Sequence, residues 1–362
     1  LSYFNKHYGQ LLTKKVSIIN TPFSGLWGMA ANDMVFLGDN AFTTNKLLMN
    51  NLLKRYSIFL LTHELSHLWA GIGTNINFYK ENVLSEGLAN YLTYNYLNQK
   101  YGVLADMIDD NLGKLEKFFT TYSTELIEPT SIDQHYRKYY ATLKSNVDEP
   151  LIFPMSESYL QNLVPKYYTK GYLTLKTLEK FVGIENMTKS VKTYFKKNKN
   201  QIGGIDEFKI ALKKNSSNDI DTFINDWFYK AEPIDLYIKS ITDNHLVTIG
   251  KKGNALIDVD IKINYKDGTE ENKTIENAQD GQQLKAKSNK KIKNVTIDPE
   301  YTVLESNKMN NQLKSSPEIY YFGNHKQMIS RRPYEKYQIG VFPVLEMRMP
   351  SFRNTVGLNI FG

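Results

Sequence analysis

His63, Glu64 and His67 are the residues in this sequence whose types and spacing point most directly to chemistry. They form a His-Glu-x-x-His pattern inside an apolar run, with Ile58-Phe59-Leu60-Leu61 before it and Leu68-Trp69 after it. Residues four apart share one face of a helix, so His63 and His67 can hold a single metal ion between them. Glu64 is rotated from His63 by about 100°, which puts its carboxylate beside such an ion rather than among its ligands. The third ligand must come from elsewhere, and Glu86, in Val83-Leu84-Ser85-Glu86-Gly87-Leu88-Ala89, is the candidate. The stretch from Gly73 to Asn82 is expected to turn the chain back so that a second helix presents it. Three protein ligands leave a fourth position for water, the arrangement of a catalytic rather than a structural zinc. The five-residue pattern arises by accident in about 5% of chains this long, and requiring Glu86 as well lowers that roughly twentyfold. The competing reading is an amphipathic core helix whose two histidines are merely hydrogen-bonded.

This spacing resembles that of the gluzincin zinc aminopeptidases, the family of the alanyl and puromycin-sensitive aminopeptidases and of leukotriene hydrolase. Eighteen residues separate His67 from Glu86, which sits within Leu-Ser-Glu-Gly-Leu-Ala. Thermolysin-type endopeptidases carry one more residue in that gap. Tyr168-Thr169-Lys170-Gly171 matches the family's Tyr-x-Lys-Gly, and Trp27-Gly28-Met29-Ala30-Ala31 sits where the family has Gly-x-Met-Glu-Asn. The resemblance spans residues 1 to 305 and is strongest between 24 and 91. It implies an α+β, thermolysin-like fold and one Zn2+ per chain, bound by His63, His67 and Glu86.

The resemblance also implies a reaction, hydrolysis of a peptide bond. Zinc lowers the pKa of its bound water to about 7. Glu64 would accept that water's proton and pass it to the leaving amine. Tyr168 would donate to the oxyanion, a contribution on the order of 3 kcal/mol. Gly28, Met29 and Ala30 would line the cleft, their backbone pairing with an extended peptide as an added strand.

Here the chain departs from the family. Ala30 stands where a glutamate normally binds the substrate's free α-amine, and Ala31 replaces the following asparagine; Asp33 is the acid a shifted loop would offer instead. The implied function is a zinc-dependent peptidase, aminopeptidase-like but with weakened selectivity for a free amino terminus. The alternatives are a related zinc endopeptidase or amide hydrolase, and a non-catalytic peptide-binding surface module that keeps the fold.

The elements that position these residues follow from periodicity. Lys15 to Asn20 and Met34 to Leu37 read as strands, with residues 23 to 33 loop-like between them. From Thr44 the period becomes helical and runs through the motif to Trp69, with Gly71 and Gly73 as the stop. Leu84 to Tyr101 reads as the second helix, and helical patterns continue from Leu104 to Phe119. The separation of Glu86 from Tyr168 exceeds the family's, so an insertion is expected within 103 to 160. Four more helices follow, beginning at Tyr172, Met187, Ile205 and Asp221, with Asp206 and Asp221 as caps. After Pro233 the period changes to strand, with a hairpin turn at Lys266-Asp267-Gly268-Thr269. Residues 1 to 233 are thus expected to form the peptidase domain and 234 to 306 a small β-sandwich. Residues 307 to 362 are expected to form a β-rich segment of unassigned role.

Composition bounds the rest. The 362 residues are 41% apolar, with 25 Tyr and 18 Phe, which suits packed domains and excludes a disordered chain. The net charge of +7 comes with lysine clusters at Lys196 to Lys199, at Lys213-Lys214 and from Lys285 to Lys293. These clusters lack the interleaved aromatics of a nucleic-acid module, so the expected partner is a peptide or protein substrate and not nucleic acid. No apolar run reaches transmembrane length. The absence of cysteine excludes disulfides and thiol chemistry. A secreted or cell-envelope location is the expectation, with the cytoplasm as the alternative. The sequence opens on Leu1, so any signal segment would lie upstream.

Overall fold

The computed structural model describes residues 1–42 apart from 12, 14, 24 and 26, then 54–102, 131–242, 246–286, 290–313, 318–321, 338–348 and 351–361. The helical expectations for 44–53 and 104–119 lie outside the described residues. In chain order, α1 (Ser2–Tyr8) precedes β1 (Ser17–Thr21), β2 (Gly28–Ala31) and β3 (Met34–Gly38). Then come α2 (Lys54–Ser66), the short strands β4 (Ala70–Gly71) and β5 (Thr74–Asn75), α3 (Phe78–Glu81) and α4 (Glu86–Tyr101).

The first sheet has the order β1-β3-β2, with β1 parallel and β2 antiparallel to β3. Gly-Met-Ala-Ala has little intrinsic strand preference, and the sequence reads there as loop. Pairing with β3, from Gly28 opposite Leu37 to Ala31 opposite Met34, overrides that preference. α2 packs on this sheet through Leu60, buried with Val35 and Leu37. On its other side α2 meets α4, where Ser66 Oγ lies 3.1 Å from Thr93 Oγ1.

α2 stops earlier than its apolar period suggests. The N–H groups of His67, Leu68 and Trp69 bond to the carbonyls three residues back, at 3.3, 3.2 and 3.0 Å, so the last turn tightens and the helix ends at Ser66. Gly73 closes this bend because a Cβ there would lie 2.3 Å from the Leu68 carbonyl oxygen.

Downstream lie α5 (Ser131–Lys144), a π-helical turn at Pro165–Lys170, α6 (Gly171–Val182), α7 (Ile184–Lys197), α8 (Ile205–Asn215) and α9 (Ile220–Phe228). The expected caps are corrected. Asp219 caps α9 by accepting from the Thr222 N–H at 3.1 Å, while Asp221 pairs with Lys213 and Lys209. At α8 the cap position is Gly204, whose N–H donates to Glu207 at 2.8 Å. α4 is buried around its whole circumference from Gly87 to Tyr94 and forms the axis of the helical part.

Strands replace helices after α9: β6 (Asp235–Ile241), β7 (Leu246–Lys252), β8 (Val259–Tyr265), β9 (Glu270–Ile275), β10 (Gln283–Lys285) and β11 (Ile292–Ile297). They form two three-stranded sheets, β10-β7-β6 and β11-β8-β9. Strict alternation in β8 buries Val259, Ile261, Ile263 and Tyr265. Tyr136 on α5 donates to the Val303 carbonyl at 2.5 Å, and the Leu304 N–H donates to Thr177 on α6 at 2.8 Å; these bonds fasten the strand-rich part to the helices. The fold is therefore α+β, with helices leading and small antiparallel sheets following. A third sheet joins β12 (Glu318–Tyr321), β13 (Gln338–Arg348) and β14 (Ser351–Phe361). Among the described residues no helix is long and apolar enough to cross a membrane.

One buried group makes stability depend on pH. His135 on α5 has Nε2 3.0 Å from the Tyr94 hydroxyl and Nδ1 3.4 Å from Thr169 Oγ1. Burial pushes its pKa down to about 3. The unfolded histidine takes a proton near pH 6.5 and the folded one only near 3, so stability falls as pH drops through that window, by about 1.4 kcal/mol per unit. Between pH 7 and pH 5 the wild type is expected to lose about 2 kcal/mol more than His135→Gln, measured by urea unfolding at both values.

Candidate metal centre

Three chain segments converge on one point. His63 is presented by the last turn of α2, His67 by the tightened turn after it, and Glu86 by the first residue of α4. His63 Nε2 and His67 Nε2 are 3.2 Å apart, and Glu86 Oε2 lies 3.3 Å from each. All three donor atoms fall within 4.8 Å of one another.

The chemistry of these atoms tests whether a metal belongs there. His67 Nδ1 lies 3.0 Å from the Ala70 carbonyl oxygen, which can only accept. The ring proton therefore sits on Nδ1, and Nε2 turns a lone pair toward His63 and Glu86. Buried acceptors facing one another are unfavourable unless a cation lies between them. A tetrahedral zinc with bonds of roughly 2.0–2.1 Å separates its ligands by about 3.3 Å, the spacing found here. The residues fit the ion.

Neighbouring side chains hold the donors in place. The His63 ring lies between Phe59, one helical turn earlier, at 5.9 Å and Tyr168 at 5.7 Å, both stacked. Ser85 Oγ is 3.2 Å from His67 Nδ1 and thus helps fix that ring's tautomer and orientation. Burial would raise the Glu86 carboxyl, but the adjacent His63 and His67 rings outweigh it and hold the group well below the usual carboxylate range. Burial pushes the Glu64 carboxyl up, against the lowering influence of the two histidines. Glu64 lines the same cavity, of about 200 Å³, without joining the three donors. A Cβ on Gly28 would lie 2.5 Å from Glu64 Cγ, so the bare backbone of β2 is what leaves room for that carboxylate.

Tyr168 arrives from the π-helical turn, and the Lys170-Gly171 pair explains how. Lys170, buried, reaches both Asp148 carboxylate oxygens at 2.9 Å and the Glu149 carbonyl at 2.8 Å. Gly171 lets this turn approach the start of α4, where Cβ positions on Gly87 and Gly171 would each meet the other residue at 3.4 Å. Asn90 completes the join by donating to the Tyr168 carbonyl at 2.7 Å. Burial raises the Tyr168 hydroxyl far above its ordinary pKa, and the nearby Glu86 adds to the rise, so it remains a donor.

Gly28, Met29 and Ala30 line one wall of the cavity, and Ile72 and Phe78 line another. The outer edge of β2 has no strand beside it among the described residues. Asp33 lies exposed in the β2–β3 turn and does not line the cavity. Sequence reasoning missed Phe59, Ile72, Phe78 and Ser85. Phe59 was findable, since it stands four residues before His63 on the same helix face; the other three owe their places to the bends on either side of α3. A larger cavity, of about 340 Å³, lies behind Trp69 between α1 and α7, but it gathers lysines and aromatics and no acid–base pair.

Comparison with known proteins places the chain. A model of the peptidase family M1 domain matches residues 1–227. Among solved structures, aminopeptidase A of Legionella pneumophila in complex with aspartic acid is similar in fold, with a TM-score of 0.57 at 13% identity. The match covers 83% of this chain and 33% of that one, so this chain spans about a third of that enzyme's length. No curated protein matches the sequence.

Proposed function

Because the chain belongs to peptidase family M1, we propose that its cleft is the active site of a zinc-dependent peptidase. The observation that carries this reading is the convergence of His63, His67 and Glu86 to ligand spacing, with Glu64 in the same cavity but outside the set. Family members are zinc-dependent in general, and His63, His67 and Glu86 would hold the ion. When bound, zinc lowers the pKa of its water to about 7 and polarises the scissile carbonyl.

The remaining work falls to this chain's own residues. Glu64 accepts the proton of the attacking water and returns it to the leaving amine; its upward-shifted carboxyl suits a base that must also act as an acid. Tyr168 donates its hydroxyl to the oxyanion that forms on the substrate carbonyl. The free edge of β2 receives the peptide backbone as an added strand and so holds the scissile bond in register. Tyr168→Phe is expected to lower kcat roughly a hundredfold with KM nearly unchanged, because the contact belongs to the transition state. A variant with full activity would reduce Tyr168 to a packing aromatic.

Selectivity should be weaker than the family's. Apart from Glu64 and Glu86, no carboxylate lines the cavity among the described residues. A substrate α-ammonium there lacks a charge-assisted hydrogen bond worth about 1.5–3 kcal/mol. Free and amino-acetylated forms of one peptide are therefore expected to be cut with similar kcat/KM. Ala30→Glu should raise preference for the free form by roughly tenfold or more. A strong free-amine preference in the wild type would show that another residue holds the amine.

A further inference from the structure

The third sheet takes no part in the proposed peptidase chemistry. β13 and β14 are each 11 residues long, about twice the strand length usual in globular proteins. Only Met349 and Pro350 separate them in sequence. They pair antiparallel in one unbroken register, from Gln338 opposite Phe361 to Arg348 opposite Ser351. Successive pairs belong to alternate faces of the sheet.

That alternation sorts the residues sharply. One face takes the pairs Ile339 with Ile360, Val341 with Leu358 and Met347 with Phe352; of the ten positions on it, Asn354 alone is polar. The other face takes Glu346 with Arg353 and Arg348 with Ser351, and only three of its twelve positions are apolar. No charged residue interrupts the apolar face along its whole length.

The dimensions select what covers that face. Eleven residues extend about 37 Å and, tilted by ~45°, cover about 26 Å, the height of the apolar band of a membrane barrel. β14 has no outer neighbour among the described residues, and β12 pairs with β13 in parallel over Gln338–Val341 alone, so the rest of both edges has no strand beside it among the described residues. Long unpaired edges beside an apolar face are a hazard that a closed barrel removes.

We propose that residues 338–361 are a lipid-facing hairpin of a membrane β-barrel, with the Ile339–Ile360 face toward acyl chains and the Glu346–Arg353 face toward a polar lumen. The proposal stands independently of the peptidase reading and adds to it a means of holding the catalytic part at a bilayer.

The test is flotation of the 362-residue chain with dilauroylphosphatidylcholine vesicles, followed by a carbonate wash. Zwitterionic lipid is chosen so that the +7 net charge does not drive binding. The wild type is expected to float and to resist the wash. Leu358→Arg, near the middle of the apolar face, should lower the bound fraction by roughly thirtyfold or more, while Thr355→Arg on the other face should change it less than about twofold. Thermal unfolding of the helical part, followed by circular dichroism, should be the same in all three proteins. The proposal is overturned if the wild type stays in the aqueous fraction, or if the two substitutions act alike. It is also overturned if the lipid-free protein is a stable dimer that Leu358→Arg dissociates, since a second copy would then cover the face.

Discussion

Glu64→Gln is expected to keep one zinc per chain while hydrolysis falls on the order of a thousandfold. The amide has the carboxylate's shape but cannot take the water's proton at neutral pH. The three donors that fit the ion lie within 4.8 Å of one another and do not include Glu64, so metal content should not change. The fold should tolerate the substitution as well, because it removes a buried charge whose burial is unfavourable. Elemental analysis and initial rates on the same preparation check both halves. Loss of zinc from this variant would make Glu64 a ligand and leave the proton-transfer role without an occupant.

Glu86→Ala is expected to abolish both zinc binding and turnover. Glu86 supplies the only negative charge among the three donors and lies 3.3 Å from both imidazoles. Without it two imidazoles remain, with their Nε2 atoms 3.2 Å apart. Such a pair holds zinc weakly, so less than about a tenth of an equivalent should survive brief chelation. Glu86 begins α4, and Gly87 to Tyr94 behind it are fully packed, so the helix should persist and the loss should be local. A variant that binds zinc as the wild type does would place the third ligand elsewhere.

The three candidate metal ligands were legible as a cluster because two short-range rules locate them. Helical spacing pairs the histidines, and a fixed gap supplies the acid. Tyr168 was legible only through its neighbours. Its place depends on Lys170 reaching Asp148 and on Gly171 meeting Gly87, contacts over 22 and 84 residues that no local period encodes. The strand β2 was missed because Gly-Met-Ala-Ala has neither alternation nor β-branching, and only β3 makes it extended. The overlong α2 reflects an apolar run that continues through Leu68 and Trp69 after the backbone has turned into bonds three residues apart. At α9 the sequence Asp219-Ile220-Asp221 offers two caps, and the choice fell to a tertiary partner, since Lys213 engages Asp221. The change from helix to strand after Pro233 was plain, because buried strands such as β8 alternate without a break.

Zinc bound at His63, His67 and Glu86 would make this chain a peptidase. The most direct test is titration of chelator-stripped protein with zinc, following hydrolysis of an acetylated peptide of mixed sequence. Activity is expected to be absent at the start, to rise in proportion to added zinc, and to level off at one equivalent per chain. Hydrolysis by the stripped protein, or its absence in folded protein carrying a full equivalent, would contradict the account.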